Sequence, residues 1–176
     1  KIGDVISVDA TCTSLADGSG DDWNSITAWG PTALLPVFQL LGTDYKDKNI
    51  NSLLLDSAEN FDLFTKIDFT YPNAVASIKV GKGVKSEGEL IISGTKGYIY
   101  VPAPWWKTDY FEIRFENQNE NKKYFYQLDG EGIRYELVAF IKSIELNKTG
   151  SYIDINISKE ISSVMEAFDN NKFNNL

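Results

Sequence analysis

The stretch NSITAWGPTALLPVFQLLG, residues 24–42, decides which fold this sequence can adopt. Gly30 and Pro31 predict the start of a helix, because proline has its φ already fixed and needs no N–H at the first helical position. Gly42 stands where a left-handed residue commonly ends a helix. The side chains between these ends leave almost no polar face, so we expect a helix buried between a sheet and a second layer.

Composition limits the class of protein. The chain has 176 residues, of which 43% are hydrophobic and 24% are charged, and this suits one domain with a substantial core. A net charge of −8, from 17 basic and 25 acidic residues, argues against nucleic-acid binding. No apolar run approaches the ~20 residues of a membrane-spanning helix. The lone Cys12 excludes an internal disulfide. We therefore expect a cytoplasmic protein without a membrane partner.

The absence of histidine excludes several catalytic mechanisms. Ser-His-Asp catalysis, Cys-His catalysis and zinc sites with imidazole ligands all require that side chain. Any proton transfer must therefore use a carboxylate, a lysine, a tyrosine or water. Without a histidine to activate its thiol, Cys12 is interpreted as a small buried residue and not as a nucleophile.

The loop before the helix matches part of a calcium-binding motif. Asp17, Ser19 and Asp21 have the first spacings of a calcium-binding loop. Asp22, however, stands where such a loop needs glycine, and Ala28 stands where it needs a bidentate glutamate. We therefore interpret the segment as a solvated loop and expect no metal site in the chain.

Alternation of apolar and polar residues predicts a series of strands. One strand precedes the helix, residues 43–51 form a polar turn after it, and a long, mostly antiparallel run follows. Residues 93–97 are interpreted as a tight hairpin turn with glycine where a positive φ is needed. Residues 52–57 contain an apolar run, and the predicted strands cover residues 2–12, 67–71, 74–80, 89–92, 98–101, 111–116 and 122–128.

Two amphipathic helices are predicted near the C-terminus. In each, apolar residues recur at i, i+4, i+7, i+8 and i+11, which gives a stripe of the kind that packs on a sheet. A short strand at residues 151–155 is expected between them, and residues 169–176 are expected to fray. The elements together predict an α+β domain with an open, mostly antiparallel sheet and helices packed on one face. The stripes are Ile133, Leu137, Phe140, Ile141 and Ile144, then Ile157, Ile161, Val164, Met165 and Phe168.

Several segments, in order along the chain, carry a resemblance to a known family. The helix with its Leu-Leu-Gly ending at Gly42 resembles the one that opens the substrate-side half of the glucose–fructose oxidoreductase / inositol dehydrogenase (Gfo/Idh/MocA) family of NAD(P)-dependent oxidoreductases. Residues 88–97 resemble that family's G-x-L-x-I-x-G-T-x-G hairpin, and residues 101–106 resemble the segment after it. Residues 130–136, leading to Phe140, resemble the start of the family's Y-E-x-x-x-F helix.

The resemblance also contains a mismatch at the family's acid–base residues. Its alignment puts Ala28 at the position of the family's Asp, Thr32 at its Tyr and Leu35 at its His. In the family, the carboxylate and the imidazole manage the proton of the alcohol while hydride passes to nicotinamide. Neither alanine nor leucine can hold a proton. The resemblance therefore implies no catalytic residue in this chain. Either a lysine of the missing domain works alone or with a tyrosine or water, or the redox step is lost, and we expect reduced or altered chemistry.

Other residues are candidates for the substrate pocket. The resemblance places Trp29 beside the family's Asp position, at the pocket wall, and Thr32 at the family's Tyr position. Trp23 and Asn24 occupy the family's Gly-Gly positions, where their bulk should narrow the pocket.

Two pairs of neighbouring residues complete the candidates. Trp105 and Trp106 form a stiff aromatic loop after Pro-Ala-Pro, and exposed tryptophans stack on sugar rings or fill interfaces. Core packing or a contact with another domain remains an equal alternative for them. Arg134 and Tyr135 are suited to clamp an anionic substrate group, against the simpler alternative of a solvated arginine and a tyrosine at the edge of the core.

The family's dinucleotide-binding domain has no counterpart in this sequence. No G-x-G-x-x-G follows a strand, and the Glu-Lys-Pro motif that supplies the family's catalytic lysine is absent. The resemblance implies that residues 1–176 are a single C-terminal, substrate-side and oligomer-forming domain of a longer protein, and a first residue, Lys1, other than methionine fits that interpretation.

The resemblance implies the partners of that longer protein. It should bind NAD or NADP and a sugar or polyol, and it should form homo-oligomers through the open sheet face. The domain alone is expected to bind no cofactor and to be inactive. A non-catalytic module that binds carbohydrate or a protein partner is the alternative.

Overall fold

A computed structural model describes residues 1–15, 24–56, 61–127, 130, 132–146 and 152–176. Within these ranges, nine strands form a single open sheet. The strands are β1 (Val5–Ser14), β2 (Asp47–Asp56), β3 (Phe61–Thr70), β4 (Val75–Lys82), β5 (Leu90–Gly94), β6 (Tyr98–Val101), β7 (Tyr110–Arg114), β8 (Lys122–Phe125) and β9 (Asn174–Asn175).

The sheet has the order β8-β7-β6-β5-β1-β4-β3-β2-β9. Only the pairs β1–β4 and β2–β9, among those in the described ranges, run parallel. The parallel pairing of β1 with β4 requires a crossover, and α1 (Ser25–Leu41) lies in it. Two further helices, α2 (Ile133–Glu145) and α3 (Ile155–Asp169), follow the last long strands. The predicted α+β class with an open, mostly antiparallel sheet is confirmed.

Helix α1 begins earlier than the sequence predicted. Its N-cap is Asn24, whose side chain accepts the Thr27 N–H at 2.9 Å, so the predicted start at Pro31 is wrong. Pro31 and Pro36 both lie inside the helix, where each removes an intrahelical hydrogen bond. The predicted end is confirmed, since Gly42 has a φ of 78° and donates its N–H to the Phe38 carbonyl.

Tertiary anchoring explains why the helix continues through its prolines. The buried Ser25 hydroxyl lies 2.8 Å from the carbonyl oxygens of Asp62 and Leu63 and accepts the Lys82 N–H at 2.7 Å. The buried Asp62 carboxylate accepts the Ile26 N–H at 3.1 Å. Both groups fix the first turn of α1 to β3 and β4.

The core lies between the sheet and the pair α1 and α3. Leu34, Val37 and Phe38 of α1 are buried, and Phe38 meets the Phe69 ring of β3 edge-on at 5.4 Å. Helix α3 packs on α1 at Gly30, where an added Cβ would lie 3.0 Å from Met165 Sδ. Gly30 is therefore a packing residue and not the turn that the sequence predicted.

Helix α2 differs from its two companions. Its apolar stripe, which was predicted to pack on the sheet, is exposed to solvent, and none of its 13 residues is buried. By contrast, α3 buries Val164, Ala167 and Phe168. No helix in the described part of the chain combines the length and apolar character that a membrane span requires.

Three details near the chain's turns and end correct the sequence predictions. The strand expected at residues 151–155 is wrong from residue 152 onward, because Ile155 already begins α3. The tail does not fray, since β9 pairs with β2 and Leu176 donates its N–H to the Ser52 carbonyl at 2.9 Å. Strand β2 begins at Asp47, within the residues that were predicted to be a turn.

The glycines of the β5–β6 hairpin have a different role from the one expected. Gly94 and Gly97 are not among the residues with positive φ. A Cβ on Gly94 would instead lie 2.3 Å from the Ile2 carbonyl oxygen, and one on Gly97 would lie 2.6 Å from that of Arg114. These glycines permit close approach of neighbouring backbone. The segment weighed as a calcium loop and Trp23 lie outside the described residues.

Candidate functional site

The outer face of α1 carries the three positions that the resemblance singles out. Ala28, Thr32 and Leu35 follow one another at i, i+4 and i+7, which places them along one side of the helix. All three are half-buried, whereas Ala33 and Leu34 on the core side are fully buried. This face therefore presents one hydroxyl group and two hydrocarbon side chains, with no group that titrates near neutral pH.

A tryptophan cluster lies next to this helix. The Trp29 and Trp106 ring centroids are 4.9 Å apart with the rings tilted by 48°, and Trp105 meets Trp106 edge-on at 6.0 Å. All three side chains are half-buried against the core. The structure thus brings together the predicted pocket-wall residue of α1 and the predicted aromatic loop, which are far apart in sequence.

Hydrogen bonds from two indole groups fix the cluster to the end of β1. Trp29 Nε1 donates to Ser14 Oγ, and Trp105 Nε1 donates to the Thr11 carbonyl, each at 3.2 Å. The backbone N–H of Trp105 also donates to the Gly88 carbonyl at 3.0 Å. A buried tryptophan needs such a partner for its N–H, so these contacts define the orientation of the rings.

Gly88 lets the Trp106 ring approach the backbone. A Cβ on Gly88 would lie 3.0 Å from two atoms of that ring, closer than side chains normally pack. Beneath the cluster, Cys12 is buried, and burial raises the pKa of its thiol to about 12. The thiol stays protonated at neutral pH, which confirms its interpretation as a small buried residue.

The remaining candidates lie elsewhere. Asn24 uses its side chain as the N-cap of α1. Arg134 and Tyr135 lie in the first turn of α2, where they line a shallow groove together with Tyr126, Val138 and Tyr152. Among the described residues, that groove contains no member of the tryptophan cluster. The described residues thus separate the candidates into two surfaces, one on α1 and one on α2.

Among the described residues around α1, the tryptophan rings and the neighbouring hydroxyl groups are suited to recognise a ligand. Indole rings stack on apolar faces of sugars, and the Ser14 and Thr32 hydroxyls can exchange hydrogen bonds with a polar ligand. No cluster of acidic, histidine or cysteine side chains in the described ranges has a geometry suited to a metal ion. The site is therefore an aromatic wall with a few neutral polar groups.

Sequence reasoning did not identify several residues that position this site. Ser25 and Asp62 hold the helix start, Ser14 orients Trp29, and Gly88 admits Trp106. Ser25 and Asp62 are 37 residues apart, and each is an ordinary polar residue in its local segment. No local signal marks them, although an aspartate placed inside an alternating strand is a reason to look for a buried partner.

Comparison with solved structures finds the same fold in a 3-ketoreductase and in a UDP-N-acetylglucosamine 3-dehydrogenase. The 3-ketoreductase KijD10 from Actinomadura kijaniata, solved in complex with NADP and TDP-benzene, matches over 94% of this chain and 53% of its own, with a TM-score of 0.78 and 12% identity. UDP-N-acetylglucosamine 3-dehydrogenase GnnA from Acidithiobacillus ferrooxidans matches over 94% of this chain and 52% of its own, with a TM-score of 0.75 and 12% identity.

These matches establish the fold. The chain has the fold of about half of each of these two enzymes, and at the level of the fold this confirms the resemblance found in the sequence. It spans about half the length of the solved structures, which are 52% and 53% covered. No model of a protein family and no curated protein matches the sequence.

Proposed function

We propose that this chain is the C-terminal, substrate-side domain of an NAD(P)-dependent oxidoreductase that acts on a sugar or polyol. The observation that best supports the proposal is the structural match to two such enzymes. In each match 94% of this chain is covered, together with 52% of one enzyme and 53% of the other. The placement of Ala28, Thr32 and Leu35 on one half-exposed face of α1 supports it independently. A substrate-binding surface must be accessible from solvent, and this face is partly accessible.

The cofactor in this proposal is NAD or NADP, held by a second domain. The solved KijD10 structure contains NADP, and the present sequence has no glycine-rich strand–turn–helix motif of its own. A nicotinamide cofactor supplies hydride transfer when it is bound. The residues of this chain contribute the surface that faces the substrate, and the domain alone binds no cofactor.

The proton of the substrate alcohol has no acceptor on α1 in this proposal. Ala28 and Leu35 have hydrocarbon side chains that cannot accept a proton. The Thr32 hydroxyl is too weak an acid to be deprotonated near neutral pH, so it cannot act as the proton acceptor. We therefore infer that the redox step is reduced or altered relative to family members that keep a carboxylate and an imidazole. The tryptophan cluster, with Trp29 closest to those positions, supports binding of a sugar ring.

Oligomerisation through the open sheet face belongs to the same proposal. Tyr100, Glu112 and Lys123 are cross-strand neighbours on β6, β7 and β8. Arg114 lies over the Tyr100 ring at 4.3 Å and binds Glu112 at 2.7 Å. Aromatic and arginine side chains are enriched at protein interfaces, and this surface suits a second copy. A lone thiol and a nicotinamide cofactor both fit the cytoplasm.

Turnover by the full-length protein tests the proposal. NAD and NADP are offered with a panel of polyols, free sugars and sugar nucleotides, and reduction of the cofactor is followed by absorbance. We expect binding of one substrate class with turnover well below that of ordinary dehydrogenases. Ordinary dehydrogenase rates would refute the inference about the missing proton acceptor, and failure to bind any dinucleotide would refute the assignment itself.

A non-catalytic carbohydrate- or protein-binding module is the second candidate, and the Trp105–Trp106 pair is the observation that favours it. Double alanine substitution at Trp105 and Trp106 distinguishes the two. Loss of glycan binding with an unchanged circular dichroism spectrum supports the module. Loss of stability or of dimers supports a structural role, as the hydrogen bond from Trp105 to Thr11 suggests.

A further inference from the structure

Helix α2 has an apolar seam that the described part of the chain leaves uncovered. The seam consists of Ile133, Leu137, Phe140 and Ile144, which are 65%, 55%, 62% and 63% exposed. Monomeric proteins rarely expose a contiguous row of large apolar side chains, and such rows usually mark an interaction surface. A 13-residue helix is also marginal in water unless another surface packs against it.

The spacing and charge of α2 indicate the kind of surface that covers it. The seam residues are separated by four, three and four positions, the repeat that packs one helix against another at a small crossing angle. The four charged side chains of α2, Arg134, Glu136, Lys142 and Glu145, cancel one another, although the chain as a whole carries −8. A neutral, apolar helix face can pack against an apolar helical partner, but it makes no net electrostatic attraction with a strongly charged one.

We propose that the α2 seam is the docking surface for the dinucleotide-binding half of the full-length polypeptide. This inference rests on the function proposed above. About half of each solved structure, beyond the 52% and 53% that match, has no counterpart in the present chain. A dinucleotide-binding domain covers both faces of its parallel sheet with helices, so its outer surface offers the helical ridges that the seam requires.

Two adjacent substitutions provide the test. Leu137→Glu introduces a charge into the seam, and Val138→Glu introduces one at the neighbouring position outside it. The two side chains have similar exposure, 55% for Leu137 and 48% for Val138. Both variants lose a similar exposed apolar side chain, so a general effect of surface charge affects them equally. Each is made in the 176-residue chain and in the full-length protein. Circular dichroism establishes folding, limited trypsinolysis measures opening between the two halves, and analytical ultracentrifugation measures association.

We expect a change in the cleavage rate only for Leu137→Glu, and only in the full-length protein. In the full-length protein, Leu137→Glu should raise the rate of cleavage between the halves at least about tenfold, which is the effect of losing roughly one buried leucine at an interface. Val138→Glu should leave that rate within about twofold of wild type. In the 176-residue chain, both variants should keep the wild-type melting temperature and association state.

Other outcomes overturn the docking proposal without affecting the functional one. If the full-length protein binds NAD(P) but Leu137→Glu leaves its cleavage rate unchanged, the dinucleotide half does not cover the seam. If the 176-residue chain is dimeric and Leu137→Glu makes it monomeric, the occupant is a second copy. If Leu137→Glu unfolds the 176-residue chain, the seam packs within this domain. Absence of NAD(P) binding by the full-length protein would instead refute the functional proposal.

Discussion

Helices α1 and α2 have comparable apolar content but opposite environments. Helix α1 lies between the sheet and α3, with eight buried residues that include Leu34 and Phe38. Helix α2 has no buried residue and leaves Phe140 62% exposed. The apolar residues of α1 are thus covered within the domain, whereas those of α2 form a surface whose partner is not among the described residues. Paired substitutions in the two helices test this distinction.

The largest expected difference is between two phenylalanines. Phe38→Ala should lower the free energy of unfolding by about 3–5 kcal/mol, because a buried ring is removed and a cavity remains. Phe140→Ala should change it by no more than about 0.5 kcal/mol in the 176-residue chain, as expected of an exposed side chain. Urea denaturation of both variants measures the contrast. Equal losses would mean that α2 packs as tightly as α1.

The anchor of α1 on β3 should give the next largest effect. Asp62→Ala removes the acceptor of the Ile26 N–H and of the Thr65 hydroxyl. The expected loss is about 2–4 kcal/mol, because a buried donor without a partner costs roughly 1–3 kcal/mol and the Thr65 hydroxyl keeps only its contact with Ser52. Asp62→Asn keeps an acceptor oxygen and should lose clearly less. If urea denaturation showed an equally small loss of stability for Asp62→Ala and Asp62→Asn, Asp62 would not anchor α1.

The same residue predicts a pH dependence. Burial raises the pKa of Asp62 above its ordinary value of 3.8, so the folded state holds this proton more tightly than the unfolded state. Its favourable contribution is therefore fully present below about pH 4 and is lost as the pH rises through the folded pKa. Asp62→Asn lacks this titration, so its stability relative to wild type should rise as the pH is raised above about 4. A stability difference independent of pH would contradict this.

Helix capping should give the smallest of these effects. Asn24→Ala removes the side-chain acceptor of the Thr27 N–H and should cost about 1 kcal/mol. Helix α2 offers the matched comparison, because its N-cap Gly132 makes no side-chain cap bond and has a φ of 92°. Gly132→Ala should therefore be destabilising through its backbone conformation alone. Thermal unfolding of both variants checks the prediction, and an Asn24→Ala variant as stable as wild type would contradict the observed cap.

The sequence predicted those features of the fold that depend on local pattern. Most strands, both C-terminal helices and the end of α1 at Gly42 follow from alternation, amphipathic spacing and a glycine C-cap. The start of α1 was missed because it depends on Asp62, which is distant in sequence. The backbone contacts that require Gly94 and Gly97 are non-local in the same way. An apolar stripe such as that of α2 indicates burial but cannot name the surface that buries it.

The candidate site was predictable in part. The resemblance placed Trp29, Thr32, Ala28 and Leu35 on one helix, and the helical geometry puts three of these positions on one face. Contact between the Trp29 and Trp106 rings could not be derived from spacing, because it depends on how the loop after β6 folds back over Gly88. The roles of these residues toward a substrate remain part of the proposal.

Dinucleotide binding tests most directly whether this chain is one half of a two-part oxidoreductase. NAD and NADP are titrated separately into the 176-residue chain and into the full-length protein, with the heat of binding measured by calorimetry. We expect saturable binding by the full-length protein and no heat of binding by the chain alone, even at millimolar dinucleotide. Micromolar binding of either dinucleotide to the 176-residue chain would contradict it.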